Sequence, residues 1–346
     1  MTLSFCIPTY NRSQFLKKNI GIIINQIHEL SVENEVEILV SDNASQDETE
    51  DLCKKYIDAN PDIHIEYHKN ATNEGPDWNF IKAMRLAHGE YSILFGDDDF
   101  LKSDSLKIIL QMISDGDVDL ILTNRTSIDS NAHIISEDVF IDINTPSKIY
   151  TFKDEDIVRS YFYGIQSLGG LLTFISSVIY KTQIIEKWPL NQNVIGSNYS
   201  FLYFWWKSLL NGAKLKYYNS SLVFATTVGV TNNNYGKRIE RVVVDYRGLL
   251  NIANSVFDNN NSFKRYFLKA IDADHSDISI QSLYRLSPKQ FNKKLSPYLL
   301  ETCWTQSRIN ELKHSASLFF FFCVVYNRML PDTFKEMVRS IRKGLK

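Results

Sequence analysis

The first 125 residues alternate short apolar runs with longer amphipathic ones, and few architectures accept that order. Leu3 to Ile7, Val36 to Val40, Ile63 to Tyr67, Tyr91 to Phe95 and Val118 to Thr123 read as strands. Between them, apolar residues recur at helical spacing. Phe15, Leu16, Ile20, Ile23, Ile24 and Ile27 mark a helix from Ser13 to about Glu29. Further helices are expected over 48–60, 77–88 and near 103–114. Strands and helices in this order form right-handed crossovers and a mostly parallel sheet flanked by helices, an α/β fold.

In such sheets ligands bind beyond the carboxyl ends of the strands. Three of those ends are polar: Pro8-Thr9-Tyr10-Asn11, Asp42-Asn43 and Asp97-Asp98-Asp99. The topology puts all three on one edge. The third is the most constrained. A buried strand stops at Gly96 and delivers three adjacent carboxylates, which repel one another. A bound divalent cation such as Mn²⁺ or Mg²⁺ would neutralise them, because hard cations take carboxylate oxygens. A solvated acidic turn that caps the next helix is the other reading, and the cluster alone leaves both open.

The second half is less regular. A weak alternation over 134–143 reads as a hairpin arm, 155–163 as a helix, and Leu171 to Lys181 as a strand after a flexible Gly169-Gly170 turn. Asn198 to Leu210 is a strongly aromatic helix, and short strands follow at 215–218 and 222–226. The polar stretch Thr231 to Gly236 suits a lid or linker, and the pattern is helical from about Lys237 onward. The expected division is therefore 1–230 and 231–346.

Composition excludes several classes. With 44% hydrophobic and 23% charged residues in 346, the chain can bury one large core or two moderate ones. A net charge of −2 supplies no basic field, so nucleic acid is not an expected partner. Cys6, Cys53, Cys303 and Cys323 lie far apart without metal spacing, which fits a reducing cytosol. The chain opens directly on a strand, unlike a signal peptide. No apolar run reaches the roughly 18 residues that span a bilayer. Ser317 to Tyr326 is the longest. A cytoplasmic protein is expected.

Four ordered motifs carry a resemblance. They are Ile7-Pro-Thr-Tyr-Asn-Arg12, Val40-Ser-Asp-Asn-Ala-Ser-Gln-Asp47, Asn73-Glu-Gly75 with Asn79, and Phe95-Gly-Asp-Asp-Asp99. Together they resemble the family 2 glycosyltransferases of the GT-A fold, closely over residues 1–125 and loosely over 170–230. Within the family the chain is most similar to bacterial surface-polysaccharide enzymes of the abequosyltransferase type. The resemblance implies a Rossmann-like half that binds a nucleotide-diphosphate sugar. Pro8, Thr9, Tyr10 and Asn11 would border the nucleobase and ribose, and Asp42 would accept a hydrogen bond from the base. Asn73 and Gly75 would lie near base and ribose, with Asn79 on the following helix. Asp97 and Asp99 would span the metal motif, with Asp98 on ribose or metal. A Mn²⁺ or Mg²⁺ ion there would neutralise the leaving diphosphate.

The sequence departs from the family at one place. Inverting members carry an acidic pair at the start of the helix that is expected here near Asn198, where it deprotonates the acceptor hydroxyl. This chain has Ser197 and Asn198. Asp154, Asp156 and Glu186 are other acids in that half without a motif behind them, so no general base is assigned. Two other functions share some of the pattern. A nucleotidyltransferase also pairs Asp with Mg²⁺, but its Gly-rich, basic phosphate loop is missing. A catalytically inactive nucleotide-sugar-binding protein would explain the missing pair.

The C-terminal stretch offers three weaker features. Arg238, Arg241 and Arg247 suit either a diphosphate clamp or a solvated face. His275 within Asp272-Ala-Asp-His-Ser-Asp277 suits either a metal cluster or a solvated helix surface. Phe334 to Lys346 has apolar positions at helical spacing and five basic residues against one Glu. Such a helix fits an anionic bilayer and a lipid-linked glycan acceptor, or it packs on the domain with a solvated basic face.

Overall fold

The structure is a computed structural model that describes residues 1–226, 235–258, 262–275 and 277–329. Strands β1 (Leu3–Thr9), β2 (Val36–Asp42), β3 (His64–Lys69) and β4 (Tyr91–Leu94) form where the apolar runs lie. β1 pairs in parallel with both β2 and β4, and β2 with β3. Helices α1 (Ser13–Leu30), α2 (Thr49–Ala59) and α3 (Pro76–Arg85) connect them. α1 buries Leu16, Ile20, Ile23, Ile24 and Ile27 and ends at Ser31, which takes a left-handed φ of 55° so that the last carbonyls find donors. α3 opens on Pro76, whose missing N–H costs nothing in a first turn.

The sheet continues through β5 (Phe100–Leu101), α4 (Ser105–Ser114), β6 (Leu120–Ile128), β7 (Ile134–Asp138), β8 (Lys148–Thr151), α5 (Glu155–Gly164), β9 (Val178–Lys181), α6 (Ile184–Lys187), α7 (Phe201–Leu210) and β10 (Lys214–Thr226). The strand order is β3-β2-β1-β4-β9-β6-β10-β5, with β7 on β6 and β8 on β10. β9 runs antiparallel to both β4 and β6, so the sheet is parallel at its first edge and mixed beyond.

Four local expectations change. The strand expected over 171–181 is only Val178–Lys181, preceded by tight turns at Leu168–Leu171 and Ile175–Ser177. Gly169 and Gly170 are buried rather than flexible, and a Cβ on Gly169 would lie 2.3 Å from the Phe140 ring. The two short strands expected over 215–226 are one strand, whose register shifts beside Ser221. α7 starts at Phe201, three residues later than expected, and its rings are core. Trp205 and Trp206 are fully buried, and Trp206 stacks on Phe162 at 5.5 Å.

The described residues fall into two compact units. One takes those within Met1–Thr231 and Arg247–Asp274, the other those within Asn232–Tyr246 and His275–Lys346. The second is helical, with Asp277–Leu286 packed on Gln306–Met329. No helix among the described residues is long and apolar enough to cross a membrane. Residues 231–234 of the polar stretch and the basic segment 334–346 lie outside the described residues.

Candidate active site

The parallel register brings the polar strand ends together. Thr9 stands opposite Asp42, and the Asn43 N–H donates to the Thr9 carbonyl at 3.0 Å. On the other side of β1 the Phe95 N–H donates to the Cys6 carbonyl at 2.8 Å, which carries the chain into the acidic turn. A cleft of about 420 Å³ opens beyond these ends. Of the residues expected at a nucleotide site, Pro8, Thr9, Tyr10, Asn73, Asn79, Asp97 and Asp98 line it. Arg12, Asn43, Pro76, Phe80, Gly96 and Ile175 line it as well.

The three carboxylates separate into two environments. The Thr9 hydroxyl donates to Asp97 Oδ2 at 2.7 Å, and Arg12 Nε lies 3.4 Å from Asp97 Oδ1. Arg12 also donates to Asp98 through Nη2. Asp99 turns the other way. Its Oδ2 accepts from the Ser176 hydroxyl, and Ser176 Oγ accepts from the Gly96 N–H at 2.8 Å. Asn19, from the buried face of α1, donates to the Gly96 carbonyl at 2.9 Å and the Asp99 carbonyl at 2.7 Å. Of the two carboxylates expected to span the metal motif, Asp97 lines the cleft and Asp99 does not, whereas Asp98 lines it beside Asp97. Asp97 and Asp98 reach the cleft, and Asp99 braces the turn beneath it. Gly96 is required there, because a Cβ would lie 2.6 Å from Asp99 Oδ2.

One guanidinium does not balance this much buried negative charge. Burial pushes the Asp97 carboxyl up to about 6, against the pull of Arg12 and Thr9. It pushes Asp99 up to about 8, with the charge of Asp98 adding to the rise. Arg12 is raised in turn by Asp97 and Asp98, despite its partial burial. Oxygen donors short of positive charge are the chemistry that Mn²⁺ or Mg²⁺ requires, and Asp97 and Asp98 fit such an ion.

Several expected contacts turn out to build the cleft rather than line it. Asp42 is fully buried. Its Oδ1 accepts from the Ser45 N–H at 2.9 Å and its Oδ2 from the Tyr67 hydroxyl at 2.6 Å, so it does not face the cleft. Its neighbour Asn43 does, and Asn43 donates to Asn73 Oδ1 at 2.9 Å and the Gly75 carbonyl at 3.2 Å. Asn11 takes a left-handed φ of 53° and ties the first strand end to the second. It donates its N–H to Ser45 Oγ at 2.8 Å and accepts from the Gln46 N–H at 2.7 Å. Gly75, at φ 85°, turns the loop into α3, which only glycine does without strain. Asn79 lines the cleft while holding Ser41 through both ends of its amide, at 2.8 and 2.9 Å.

The place of the missing acidic pair is equally specific. The loop Gly196–Ser200 carries no carboxylate, and a buried carboxylate from α3 holds it. Asp77 Oδ2 accepts from the N–H groups of Gly196 at 2.8 Å and Asn198 at 3.0 Å, and Oδ1 from that of Ser200 at 3.0 Å. Asp154 caps α5 and Asp156 pairs with Arg159, and neither these nor Glu186 lines the cleft. Arg247 donates to the Gly196 carbonyl at 3.5 Å. Arg241 pairs with Asp245, which also faces His275. Among the described residues the ligand atoms of His275 and its acidic neighbours do not converge. One group does, exposed His28 and Asp62 with half-buried Glu33. Arg12 and Asn43 stood inside recognised motifs without a role. Phe80, Ile175, Ser176, Asn19 and Asp77 carried no sequence signal of their own.

Comparison with known proteins agrees with this geometry. The family model for glycosyl transferase family 2 matches residues 4–169. Abequosyltransferase RfbV of Salmonella typhimurium is 32% identical over 269 residues, covering 77% of this chain and 79% of that protein. The GalNAc(5)-diNAcBac-PP-undecaprenol beta-1,3-glucosyltransferase of Campylobacter jejuni is 33% identical over 115 residues, 33% of this chain and 35% of its own. Among solved structures, S. aureus TarS 1–349 with UDP-GlcNAc superposes with a TM-score of 0.58 at 18% identity, covering 86% of this chain and 80% of that one. The Pyrobaculum calidifontis mannosyltransferase PcManGT with GDP-Man and Mn²⁺ gives 0.51 at 14%, over 91% and 79%. Both share the fold, which is that of the GT-A glycosyltransferases. On this identity and coverage, and on four motifs that converge at one cleft, the chain belongs to glycosyltransferase family 2.

Proposed function

We propose that the protein transfers one sugar from a nucleotide-diphosphate donor to a hydroxyl of a growing, lipid-linked bacterial surface glycan of the O-antigen or capsule kind. The observation that supports this most is the meeting of Pro8 to Tyr10, Asn43, Asn73 and Asp97-Asp98 around one cleft. The nucleoside lies along Pro8, Thr9, Tyr10, Asn43 and Asn73, and the diphosphate lies toward Asp97, Asp98 and Arg12. Asp97 and Asp98 would hold a Mn²⁺ or Mg²⁺ ion, which would supply positive charge to neutralise the departing diphosphate. Thr9 fixes the orientation of the Asp97 carboxylate, and Arg12 adds a donor fork suited to phosphate oxygens. The acceptor oxygen bonds to the anomeric carbon from the face opposite the diphosphate, with inversion, as the bond from that carbon to the diphosphate oxygen breaks. The diphosphate keeps the bonding pair and the hydroxyl proton passes to water.

The wider setting belongs to the same proposal. Residues 1–230 bind donor and catalyse, and 231–346 serve the acceptor. The basic segment 334–346 rests on the anionic cytoplasmic face of the membrane. The Salmonella relative is an abequosyltransferase and the Campylobacter relative is a glucosyltransferase of a PP-undecaprenol-linked glycan, which supports sugar transfer to a lipid-linked acceptor. The absence of a carboxylate in Gly196–Ser200 favours a second reading, a nucleotide-sugar-binding protein without turnover. Donor hydrolysis separates the two. The purified protein with Mn²⁺ is offered a panel of nucleotide sugars, and release of nucleoside diphosphate from one of them is expected. Saturable binding without hydrolysis or transfer from any donor would establish the second reading instead.

A further inference from the structure

We infer that Asp77 is a positioning residue for the acceptor side of the reaction: one buried carboxylate that shapes the Gly196–Ser200 loop and ties it to the wall of the donor cleft. Asp77 is only 3% exposed. It spends both oxygens on backbone N–H groups of a segment 119 to 123 residues away. Its own carbonyl accepts from the Ser200 hydroxyl at 3.2 Å. Alternate N–H groups at 196, 198 and 200 point to one centre, and left-handed φ values at Gly196 (87°) and Asn198 (63°) make that possible. Asn198 has a Cβ and adopts that conformation at a cost, which the carboxylate offsets by gathering three donors.

The anchor itself stands between two residues of the cleft wall. Pro76, the residue before Asp77, lines the cleft, as does Phe80, one turn on. Phe80 meets Phe201, the residue after the loop, edge to face at 5.6 Å. The opposite side of the loop is equally close-packed. A Cβ on Gly248 would lie 2.2 Å from the Ser197 carbonyl oxygen. The loop is thus bonded to a carboxylate at 196, 198 and 200 and packed at Ser197 against a glycine that leaves no room for a Cβ. Gly196 stays exposed and Asn198 half-buried at the edge of this frame, where a second substrate can reach them. Asp77 is buried with both oxygens engaged by the loop and does not line the cleft, so its effect runs through the loop.

This inference rests on the glycosyl-transfer reading above, and the test keeps the two apart. Asp77→Asn removes the charge and turns an amide NH₂ toward N–H donors. Gly248→Ala presses on the same loop from the other side without touching the carboxylate. Hydrogen exchange at amides 196, 198 and 200 is read alongside UDP, CDP, GDP and dTDP binding with Mn²⁺. Transfer to octyl glycosides is compared with donor hydrolysis by water. In both variants amide protection falls, nucleotide Kd and hydrolysis stay within about twofold, and acceptor kcat/KM drops by roughly 10–100-fold. Unchanged protection in Asp77→Asn overturns the anchor. Equal losses in hydrolysis and transfer, or in nucleotide binding, overturn the acceptor role and leave a general stability effect. A wild type that binds nucleotide but transfers to nothing defeats the glycosyl-transfer reading. The exchange result still decides the anchor.

Discussion

Two buried acidic regions of this protein stand in opposite balance. In the turn after β4, three carboxylates share the Arg12 guanidinium, two hydroxyls and the more distant charge of Arg125. At the start of α3, one carboxylate collects three backbone N–H groups. The first is short of donors and positive charge, so it has capacity for a cation and a phosphate. The second has a donor on each oxygen and two on one of them, and it is closed off by burial, so its free energy goes into shaping a loop. The carboxylate count alone would rank them wrongly. What distinguishes a ligand site from a structural anchor is the unused acceptor capacity after neighbouring donors are counted.

The largest effect should come from the undersupplied side. Asp98→Ala and Asp97→Ala are expected to lower transfer by about 10³-fold or more, since each removes a charge that faces the leaving group. Mn²⁺ should then no longer raise Tm in either variant. Full transfer by either would remove that residue from the metal site. Asp99 separates from its neighbours in the next measurement. Ser176→Ala leaves Asp99 Oδ2 and the Gly96 N–H without their partner, at about 1–3 kcal/mol each. Urea unfolding should show that loss, with residual activity well above that of Asp98→Ala. An inert Ser176→Ala would contradict the bracing role.

A smaller effect is expected from pH. Asp97 and Asp99 ionise near 6 and 8 in the folded chain, above the ordinary carboxylate range. The unfolded chain therefore releases these protons first. Their contribution to stability is complete below the unfolded pKa and is lost as pH rises through 6 to 8. In EDTA the wild type should lose several degrees of Tm relative to Asp99→Asn between pH 5 and 8.5. Mn²⁺ should stabilise the wild type more at the upper end. A constant difference would mean that Asp99 does not titrate there. The smallest expected effect is at the cleft wall. Phe80→Ala removes one ring from it and should weaken nucleoside-diphosphate binding by about threefold to tenfold, read by calorimetry. An unchanged Kd would place the nucleotide away from Phe80.

Part of this was legible from the residues. Short apolar runs and period-3.6 patterns over 1–125 give the strands and their crossovers, because strands buried on both faces read as continuous apolar runs and helices bury one face. Crossover handedness then puts Thr9, Asp42 and the acidic turn on one edge, as the register confirms. β9, by contrast, was legible only as part of a longer strand. Its antiparallel place beside β4 comes from packing between segments distant in the chain.

The sequence by itself determined that three carboxylates end a buried strand among other polar strand ends. It also determined that no acid stands at 196–200. Only the tertiary structure decided which carboxylates reach the cleft. Past the end of a strand, side-chain direction no longer follows a period, and distant partners set it. Asp99 is turned inward by Ser176, 77 residues away, and its carbonyl is fixed by Asn19, 80 residues away. The loop at 196–200 takes its shape from Asp77 in the same way. A local pattern records what a residue is and which face it starts from. Whether its oxygens remain free depends on donors that folding alone brings near.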